Sequence, residues 1–458
     1  MANLAVSVAR ASGKLSRVLG RGGGTSLPGR VLLALSPGRL EGLAVHVPQG
    51  VSTISGTNGK TTTTRMVTAG LRESGRTVRT NRAGANLLSG IATALLEEGA
   101  GRHPSDAAVF EVDEFALADV VGRFVPRAVL LMNLFRDQLD RSGELEEIAS
   151  RWQRVVADLP AETTVIVNAD DPLVFDVARG RAGAITFGIQ DTTNALTSLP
   201  HAADSVRCRR CAAPLRYDAV LMGHLGHWRC DECGWHRPVP DIAVRTARLN
   251  GADGSQIEID TPSGLVTAAL KLPGLFNVAN AAGAATLLGT LGCTPTQIGS
   301  ALESTRAAFG RAERIAIEGR ELVLLLAKNP TGANENVRTV LLDEQPLHIL
   351  LSLNDRAADG RDISWIWDVD FEPLFARAST ITLSGTRAGD LALRAKYAGV
   401  PLDRMEVIED AGRAVDRAVS AAPVGGRIYA LPTYTAMLDL RAILESRGLA
   451  GAFWKDGS

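Results

Sequence analysis

The sequence predicts an α/β protein in which helices cover mostly parallel sheets, and it predicts more than one domain. From about residue 43, short apolar runs of strand length alternate with helical patterns, as in a parallel sheet buried on both faces. A second series of such runs begins near residue 321. Because 458 residues exceed what one ordinary core encloses, we assign the two series to separate domains.

The chain divides into three parts on these patterns. We expect an N-terminal helix and linker at residues 1–42, a central α/β domain at 43–315 and a Rossmann-like α/β domain at 316–458. Residues 201–240 interrupt the central series with Cys, His, Trp and Pro and little periodicity, which indicates an insertion. The predicted strands lie at 43–47, 51–55, 107–112, 128–133, 163–168, 321–327, 346–353, 380–385 and 426–432.

The N-terminal segment predicts an amphipathic helix, not a signal peptide or a membrane span. Leu4, Val8, Leu15 and Leu19 fall roughly on one face, and basic residues interrupt the apolar run. A Gly/Pro-rich hinge is expected at 21–30. No apolar run approaches the roughly 20 residues that a spanning helix needs. We therefore expect a cytoplasmic protein.

The charge balance argues against a nucleic-acid partner. Forty-nine basic residues face fifty acidic ones, which leaves a net charge of −1. Such a chain has no global positive field to attract a polyanion. The composition, 45% hydrophobic and 22% charged, is that of a globular protein.

A glycine-rich turn between a predicted strand and a predicted helix indicates a phosphate-binding loop. Backbone N–H groups at such a helix N-terminus bind anions, and a lysine there neutralises the β- and γ-phosphates of a nucleotide. A hydroxyl next to the lysine can coordinate Mg²⁺. The general pattern would place a glycine at position 54, which is Ile54 here. The expected ATP-binding residues are Gly56, Thr57, Asn58, Gly59, Lys60, Thr61 and Thr62.

Two Cys-x-x-Cys pairs inside the insertion indicate a structural zinc site. Cys208 and Cys211 are separated by 18 residues from Cys230 and Cys233. Four thiolates in two such pairs form a closed tetrahedral zinc ribbon, with no position open for catalysis. Three histidines nearby are expected to pack or face solvent: His224, His227 and His236.

The phosphate loop and further segments resemble the superfamily of Mur ligases and folylpolyglutamate synthetases. The resemblance implies that Glu111, with Thr61, binds Mg²⁺, that Asn280 lies near the adenine and that Arg311 reaches the nucleotide phosphate. Lys60 and Glu111 would then be catalytic. The matching segments follow in the family's order at residues 54–64, 107–114, 133–141, 168–172, 272–285, 309–314 and 328–338.

The sequence also departs from the peptide-forming ligases of that superfamily. Only 50 residues precede the loop, where those ligases have a longer domain that grips a UDP-linked substrate. The family's histidine is Gln138 here, and no lysine stands near residue 153 for carbamylation. Leu325 and Lys328 replace an expected Asp and His. These departures indicate a changed nucleophile and a changed substrate handle.

With the inserted ribbon and residues 351–372 and 431–441, the whole pattern resembles the MurT family, the ligase subunits of lipid II isoglutaminyl synthase. The resemblance implies phosphorylation of the α-carboxylate of D-Glu in the lipid II stem peptide, followed by attack of ammonia from a GatD-like glutamine amidotransferase partner. It also implies a position at the inner membrane face. Two alternatives stay open: another Mur-type ligase, such as a folylpolyglutamate synthetase, and an ATP-binding scaffold for the glutaminase.

The residues also indicate where a partner's chemistry would be completed. Glutamine hydrolysis needs an activated cysteine, and the one cysteine outside the ribbon, Cys293, lies in an apolar helix end. The resemblance implies that Asp355, in an acidic loop, serves the partner's active site, with Asp359 and Asp362 as fallbacks. The other interpretation of Asp355 is an acidic loop residue at a strand end, held by Arg356 or Arg361.

Overall fold

The structure, a computed structural model, describes residues 2–18, 26–81, 84–98, 105–136, 145–306 and 311–450. A large sheet and its helices form the central domain, and a smaller sheet with its helices forms the C-terminal domain. The strands of the central domain and its insertion are β1 (Val51–Ser55), β2 (Val78–Arg79), β3 (Ala107–Val112), β4 (Ala128–Leu131), β5 (Thr164–Asn168), β6 (Ile185–Ile189), β7 (Arg216–Met222), β8 (Leu225–Arg229), β9 (Ile242–Leu249), β10 (Ser255–Thr261) and β11 (Gly264–Leu270).

The central sheet has nine strands in the order β11-β10-β9-β6-β5-β4-β1-β3-β2. All neighbours from β2 to β9 are parallel, and β10 and β11 extend the sheet as an antiparallel edge. Strands β1, β3 and β4 are buried at every position because helices cover both faces. The helices of this part are α1 (Ala2–Val18), α2 (Leu27–Leu35), α3 (Arg39–Ala44), α4 (Lys60–Glu73), α5 (Leu88–Glu98), α6 (Leu117–Val121), α7 (Leu145–Asp158), α8 (Pro172–Val177), α9 (Leu275–Thr290) and α10 (Pro295–Ser304).

Two apolar layers cover this sheet. Helices α4, α9 and α10 pack on one face, where Ile54 and Val109 point. Helices α2, α3, α5 and α7 pack on the other face, where Phe110 and Trp152 are buried. The alternation within β3, with Val109 on one side and Phe110 on the other, follows the two-residue period of a strand.

The zinc-ribbon insertion occupies the connection between β6 and β9, which are adjacent parallel strands. Its only strands among the described residues are β7 and β8, which form an antiparallel hairpin. The hairpin carries the ribbon's small apolar cluster, in which Trp228 and Trp235 pack on Phe175 of α8.

The C-terminal domain has a six-stranded sheet in which parallel strands meet one antiparallel edge. Its elements are β12 (Arg311–Ile317), β13 (Arg320–Leu325), α11 (Pro330–Leu341), β14 (Leu347–Ser352), α12 (Glu372–Arg377), β15 (Ala378–Ser384), α13 (Ala388–Tyr397), β16 (Met405–Val407), α14 (Ala411–Ala421), β17 (Arg427–Pro432) and α15 (Tyr434–Ser446). The sheet order is β12-β13-β17-β14-β15-β16, and only β12 is antiparallel to its neighbour. Helices α11 to α13 cover one face, and α14 and α15 cover the other.

Three local expectations differ from the structure. The predicted strand at 43–47 is wrong, because helix α3 runs to Ala44 and a turn follows it. Residues 27–30 of the expected hinge form the first turn of α2, where Pro28 fits because a first helical turn needs no N–H donor. Strand β12 crosses the expected domain boundary at 315/316, since it pairs along its length with β13.

The N-terminal helices pack on the central domain. In α1, the small residues Ala5 and Ala9 are buried, whereas Leu4 and Val8 are 68% and 43% exposed. The predicted shared face is therefore the outward one for these two residues; the side chain of Leu15 and all of Leu19 lie outside the described part. Among the described residues, no helix combines the length and apolarity required to cross a membrane.

Candidate functional site

The predicted phosphate loop lies between β1 and α4, as the sequence indicated. Gly59 stands immediately before α4 with a φ of +88°, a conformation that a side chain disfavours. A Cβ at this position would lie 2.0 Å from Oδ1 of Asn280, so no larger residue fits. The same contact shows that α9 brings Asn280 directly against the loop.

Residues that follow β4 hold the phosphate loop in place through hydrogen bonds. Asn133 accepts a hydrogen bond from the Asn58 N–H (2.9 Å) and donates one to the Asn58 carbonyl (3.1 Å). The Asn133 carbonyl accepts from the Thr57 N–H at 2.9 Å. The Thr57 hydroxyl accepts from the Phe135 N–H (3.0 Å) and donates to the Phe135 carbonyl (3.2 Å). These hydrogen bonds fix the conformation of the loop.

Lys60 is largely shielded from solvent, with 12% of its side chain exposed, and it is ion-paired at the base of the loop. Its ammonium lies 2.9 Å from Oε2 of Glu114 and donates to the carbonyls of Gly56 (2.5 Å) and Thr57 (3.3 Å). Burial, together with the neighbouring Glu114 charge, raises the pKa of Asp113. Because a buried ammonium needs anionic partners, a phosphate group in the loop would share or replace Glu114 as the partner of Lys60.

Glu111 lies at the carboxyl end of β3, next to the start of the loop. It pairs in register with Ile54 of β1 and, like Val109, points to the face that carries α4. Asn81 holds its backbone, accepting from the Glu111 N–H (3.0 Å) and donating to its carbonyl (2.9 Å). The Glu111 side chain is 3% exposed. A carboxylate and a hydroxyl, the groups that Glu111 and Thr61 carry, are ligand types that suit a hard cation such as Mg²⁺.

The C-terminal domain contacts the loop directly. Asn329 caps the N-terminus of α11, accepting from the Gly332 N–H at 2.8 Å. Its side-chain amide also donates to Oδ1 of Asn58 at 3.1 Å. The segment 328–338, matched to the family at the sequence level, therefore begins at the phosphate loop.

The structure also shows residues that the sequence analysis did not single out. Glu114, Asn133 and Asn329 contact the loop, although only their segments were matched. The position of Glu114, a carboxylate just after a buried strand, is the signal that could have identified it. Two of the segments matched to the family are incompletely described: the side chain of Arg311 and residues 137–144, including Gln138, lie outside the described part.

The four ribbon cysteines are brought together as expected. Their sulfur atoms all lie within 4.8 Å of one another, and no other group of three or more candidate ligands occurs among the described residues. Two Sγ–Sγ distances are 3.6 Å (Cys208 to Cys233) and 3.4 Å (Cys211 to Cys230). Tetrahedral zinc with Zn–S bonds of about 2.3 Å needs sulfurs about 3.8 Å apart. The cluster therefore fits a zinc ion with little adjustment.

The three candidate aspartates of the C-terminal domain have different surroundings. Asp355 follows β14 with its carboxylate partly exposed, bonded to the Thr386 hydroxyl (3.0 Å) and to Nη1 of Arg387 (3.1 Å). Although burial acts to raise it, these two partners hold the pKa of Asp355 below its ordinary value. Asp359 is buried and accepts both the N–H and the hydroxyl of Thr435. Asp362 accepts from Ser364.

Asp355 and the exposed Asp362 both present carboxylates that an approaching protein can reach, whereas Asp359 is buried. The neighbouring Asn354 is anchored through Thr435 and Asp439 (both 3.0 Å), which holds the backbone of this loop. The arginine that pairs with Asp355 is Arg387; Arg356 pairs with Asp439 instead.

Cys293 is buried and packed. Its sulfur lies 3.5 Å from Nη1 of Arg76 and 3.8 Å from the Gly70 carbonyl. No histidine contacts it in the described part of the chain, so it lacks the base that a nucleophilic cysteine needs.

Models of known protein families match a segment in each of the two domains. Residues 54–211 match the model of the Mur ligase middle domain, and residues 326–437 match that of the MurT ligase C-terminal domain. The chain is 31% identical to "Lipid II isoglutaminyl synthase (glutamine-hydrolyzing) subunit MurT" of Streptococcus pneumoniae over 97% of its own length and 98% of that protein.

Solved structures share the fold. A pseudomurein peptide ligase type C from Methanothermus fervidus aligns with a TM-score of 0.69 at 21% identity, covering 88% of this chain and 80% of that one. The MurF ligase from Thermotoga maritima in complex with ADP aligns with a TM-score of 0.64 at 15% identity, covering 92% and 85%. At these identities the likeness concerns the fold.

Proposed function

The chain belongs to the MurT family of Mur ligases, and from this we propose that it is the ATP-dependent ligase subunit of a lipid II isoglutaminyl synthase. Its substrate would be the α-carboxylate of D-Glu in the stem peptide of lipid II. Its product would be the corresponding primary amide, D-isoglutamine.

The phosphate loop is the observation that carries this proposal. In the proposed reaction, the substrate carboxylate attacks the γ-phosphorus of ATP, and the bond to the β-phosphate oxygen breaks to release ADP. Lys60 and the backbone N–H groups from Gly56 to Thr62 would stabilise the charge that builds up on the phosphate oxygens. Asn280, which contacts Gly59, would face the nucleoside side, with Arg311 on the phosphates.

Thr61 and Glu111 would hold Mg²⁺. When bound, the metal would supply positive charge that offsets part of the charge on the phosphates. Glu111 suits this role because it carries a carboxylate on a buried residue at the end of β3, next to the start of the loop.

The second half-reaction needs ammonia. Its nitrogen attacks the acyl carbon, phosphate leaves, and the nitrogen loses a proton to give the amide. Four of the five cysteines belong to the ribbon cluster, and Cys293 is buried, so this chain offers no thiolate for glutamine hydrolysis. We therefore propose a separate GatD-like glutaminase as the ammonia source.

The proposed partner surface lies on the C-terminal domain, which carries Asp355 and a pair of exposed aromatic residues. Trp367 is 45% exposed and stacks edge-on against the exposed Tyr397 at 5.7 Å, with Arg394 over the Trp367 ring. Exposed aromatic residues next to arginine are enriched at protein interfaces. Asp355 would complete the glutaminase site from this surface.

A cytoplasmic position at the inner membrane face completes the proposal. Within residues 1–50, six basic residues stand against one acidic residue, and Leu4 and Val8 point outward from α1. Basic charge combined with exposed apolar side chains favours anionic lipid surfaces. Sedimentation with anionic vesicles tests this, because Leu4→Glu with Val8→Glu should reduce binding.

A reconstituted assay tests the proposed reaction. The purified chain is incubated with ATP, lipid II and ammonium, and both ADP and the amidated product are measured. Amidation should depend on lipid II, and glutamine should replace ammonium only when the glutaminase is added. ADP release that ignores lipid II, without any amide product, would refute the proposal.

A further inference from the structure

The tip of the ribbon hairpin is buried far from the zinc cluster. The two-residue turn between β7 and β8 consists of Gly223 and His224, and both are buried. At its other end β8 leads directly to Cys230 of the cluster. A surface ribbon with a purely local role would leave its hairpin tip in solvent, so this burial calls for a cause.

The hairpin tip packs against residues 134–135, in the segment that holds the phosphate loop. The ring of His224 is 4.9 Å from that of Phe135, between centroids, and its Nε2 lies 3.4 Å from Oδ1 of Asp171. Both ring nitrogens are buried without a hydrogen bond. Asp171 in turn accepts from the Leu134 N–H at 2.9 Å. The ring therefore supports residues 134–135 from two sides.

The tip also touches the C-terminal domain. A Cβ on Gly223 would lie 2.9 Å from Cε1 of Phe135 and 3.2 Å from Cγ2 of Thr331 in α11. Leu221 is the second-last residue of β7, and its carbonyl accepts a hydrogen bond from Nη1 of Arg338 at 2.6 Å. The hairpin tip therefore packs between Phe135, which bonds to the phosphate loop, and helix α11.

We propose that Gly223 and His224 are positioning residues for the phosphate loop, acting through Phe135. The N–H and carbonyl of Phe135 both bond to the Thr57 hydroxyl, so a displaced Phe135 ring would move the loop itself. The zinc cluster would then support the nucleotide site, because it fixes the hairpin that carries the tip. This inference rests on the proposed binding of ATP to the loop.

Two glycines in the ribbon provide a matched test. Gly223 and Gly234 both have positive φ, +54° and +71°, so alanine strains the backbone at either position. A Cβ at Gly234 meets nothing within 4 Å, whereas one at Gly223 meets Phe135. Gly223→Ala should weaken ATP binding roughly tenfold, and Gly234→Ala should leave it unchanged.

The histidines give a second, independent pair. His224→Ala should also weaken ATP binding, and His224→Phe should restore most of the affinity because it keeps the ring against Phe135. His236→Ala is the control, since His236 is exposed in the same ribbon and its ring lies 2.8 Å from the Gly234 carbonyl, away from Phe135. These variants decide the question if Gly223→Ala fails to fold.

The measurement is ATP titration by calorimetry on full-length chains, with zinc content and far-UV circular dichroism on the same samples. The proposal predicts weaker binding in Gly223→Ala and His224→Ala chains that are folded and carry one zinc. Wild-type affinity in these two variants would overturn it. Absence of ATP binding in the wild type would instead refute the proposed function.

Discussion

The phosphate loop and the Asp355 loop hold equivalent places in their two sheets, since each follows the carboxyl end of a parallel strand. They differ in what holds them. Asn133 and Phe135 bond the phosphate loop from within the central domain, and Asn329 reaches it from the C-terminal domain. Asp355 is held by two neighbours of its own domain and keeps its carboxylate partly exposed. The difference matches the proposed roles, with a nucleotide bound at the first loop and a partner protein at the second.

The largest effect is expected from a substitution that disables the phosphate loop alone. Lys60→Ala should reduce ADP release and amidation at least about 100-fold with either nitrogen source, because it removes the charge that balances the phosphates. Lys271→Ala, at an exposed position of the same domain, is the control. Amidation that survives in Lys60→Ala would favour the scaffold alternative.

The next effect separates the two loops. Asp355→Asn should reduce glutamine-dependent amidation about 100-fold, since a partner's histidine would lose the carboxylate that orients it. Ammonium-dependent amidation should be unchanged, because the phosphate loop is intact. Asp359→Asn and Asp362→Asn serve for comparison. A loss of the ammonium reaction in Asp355→Asn would show that the loops do not act separately.

Loss of zinc from the cysteine cluster should affect the phosphate loop more than the Asp355 loop. Cys230→Ser with Cys233→Ser should abolish zinc binding and lower the free energy of unfolding by at least about 3 kcal/mol. ATP affinity should fall, because the hairpin tip contacts Phe135, whereas binding of the glutaminase should change little. Metal analysis, denaturant unfolding and pull-down with the partner measure these three quantities. Full ATP affinity in a zinc-free, folded chain would contradict the expected link.

The smallest expected effect concerns pH and stability. The pKa of Asp355 is lowered in the folded state, so its ion pair stabilises the fold above the ordinary carboxyl pKa of about 4 and loses this effect as pH falls through the folded value. Because both Asp355 and Arg387 are about a third exposed, Asp355→Asn should cost less than about 1 kcal/mol at pH 7. Unfolding curves from pH 7 to about 3 measure the difference.

Much of the fold could be predicted because its signals are local. Strands β1 and β3 coincide with the predicted ranges, since buried parallel strands appear as continuous apolar runs between turn residues. The strand predicted at 43–47 was wrong because five residues, most of them apolar, do not distinguish a strand from the end of a short helix. The cluster of four cysteines was predictable from spacing alone, because zinc geometry constrains that spacing tightly.

The sequence by itself determined the phosphate loop, the ribbon cysteines and the alternation of strands and helices, because each depends on residues close together in the chain. Only the tertiary structure decided which distant groups meet. Glu114 pairs with Lys60 across 54 residues, Asn329 reaches Asn58 across 271, and the hairpin tip packs on Phe135. Such contacts depend on how helices and sheets pack, and packing leaves no short pattern in the sequence.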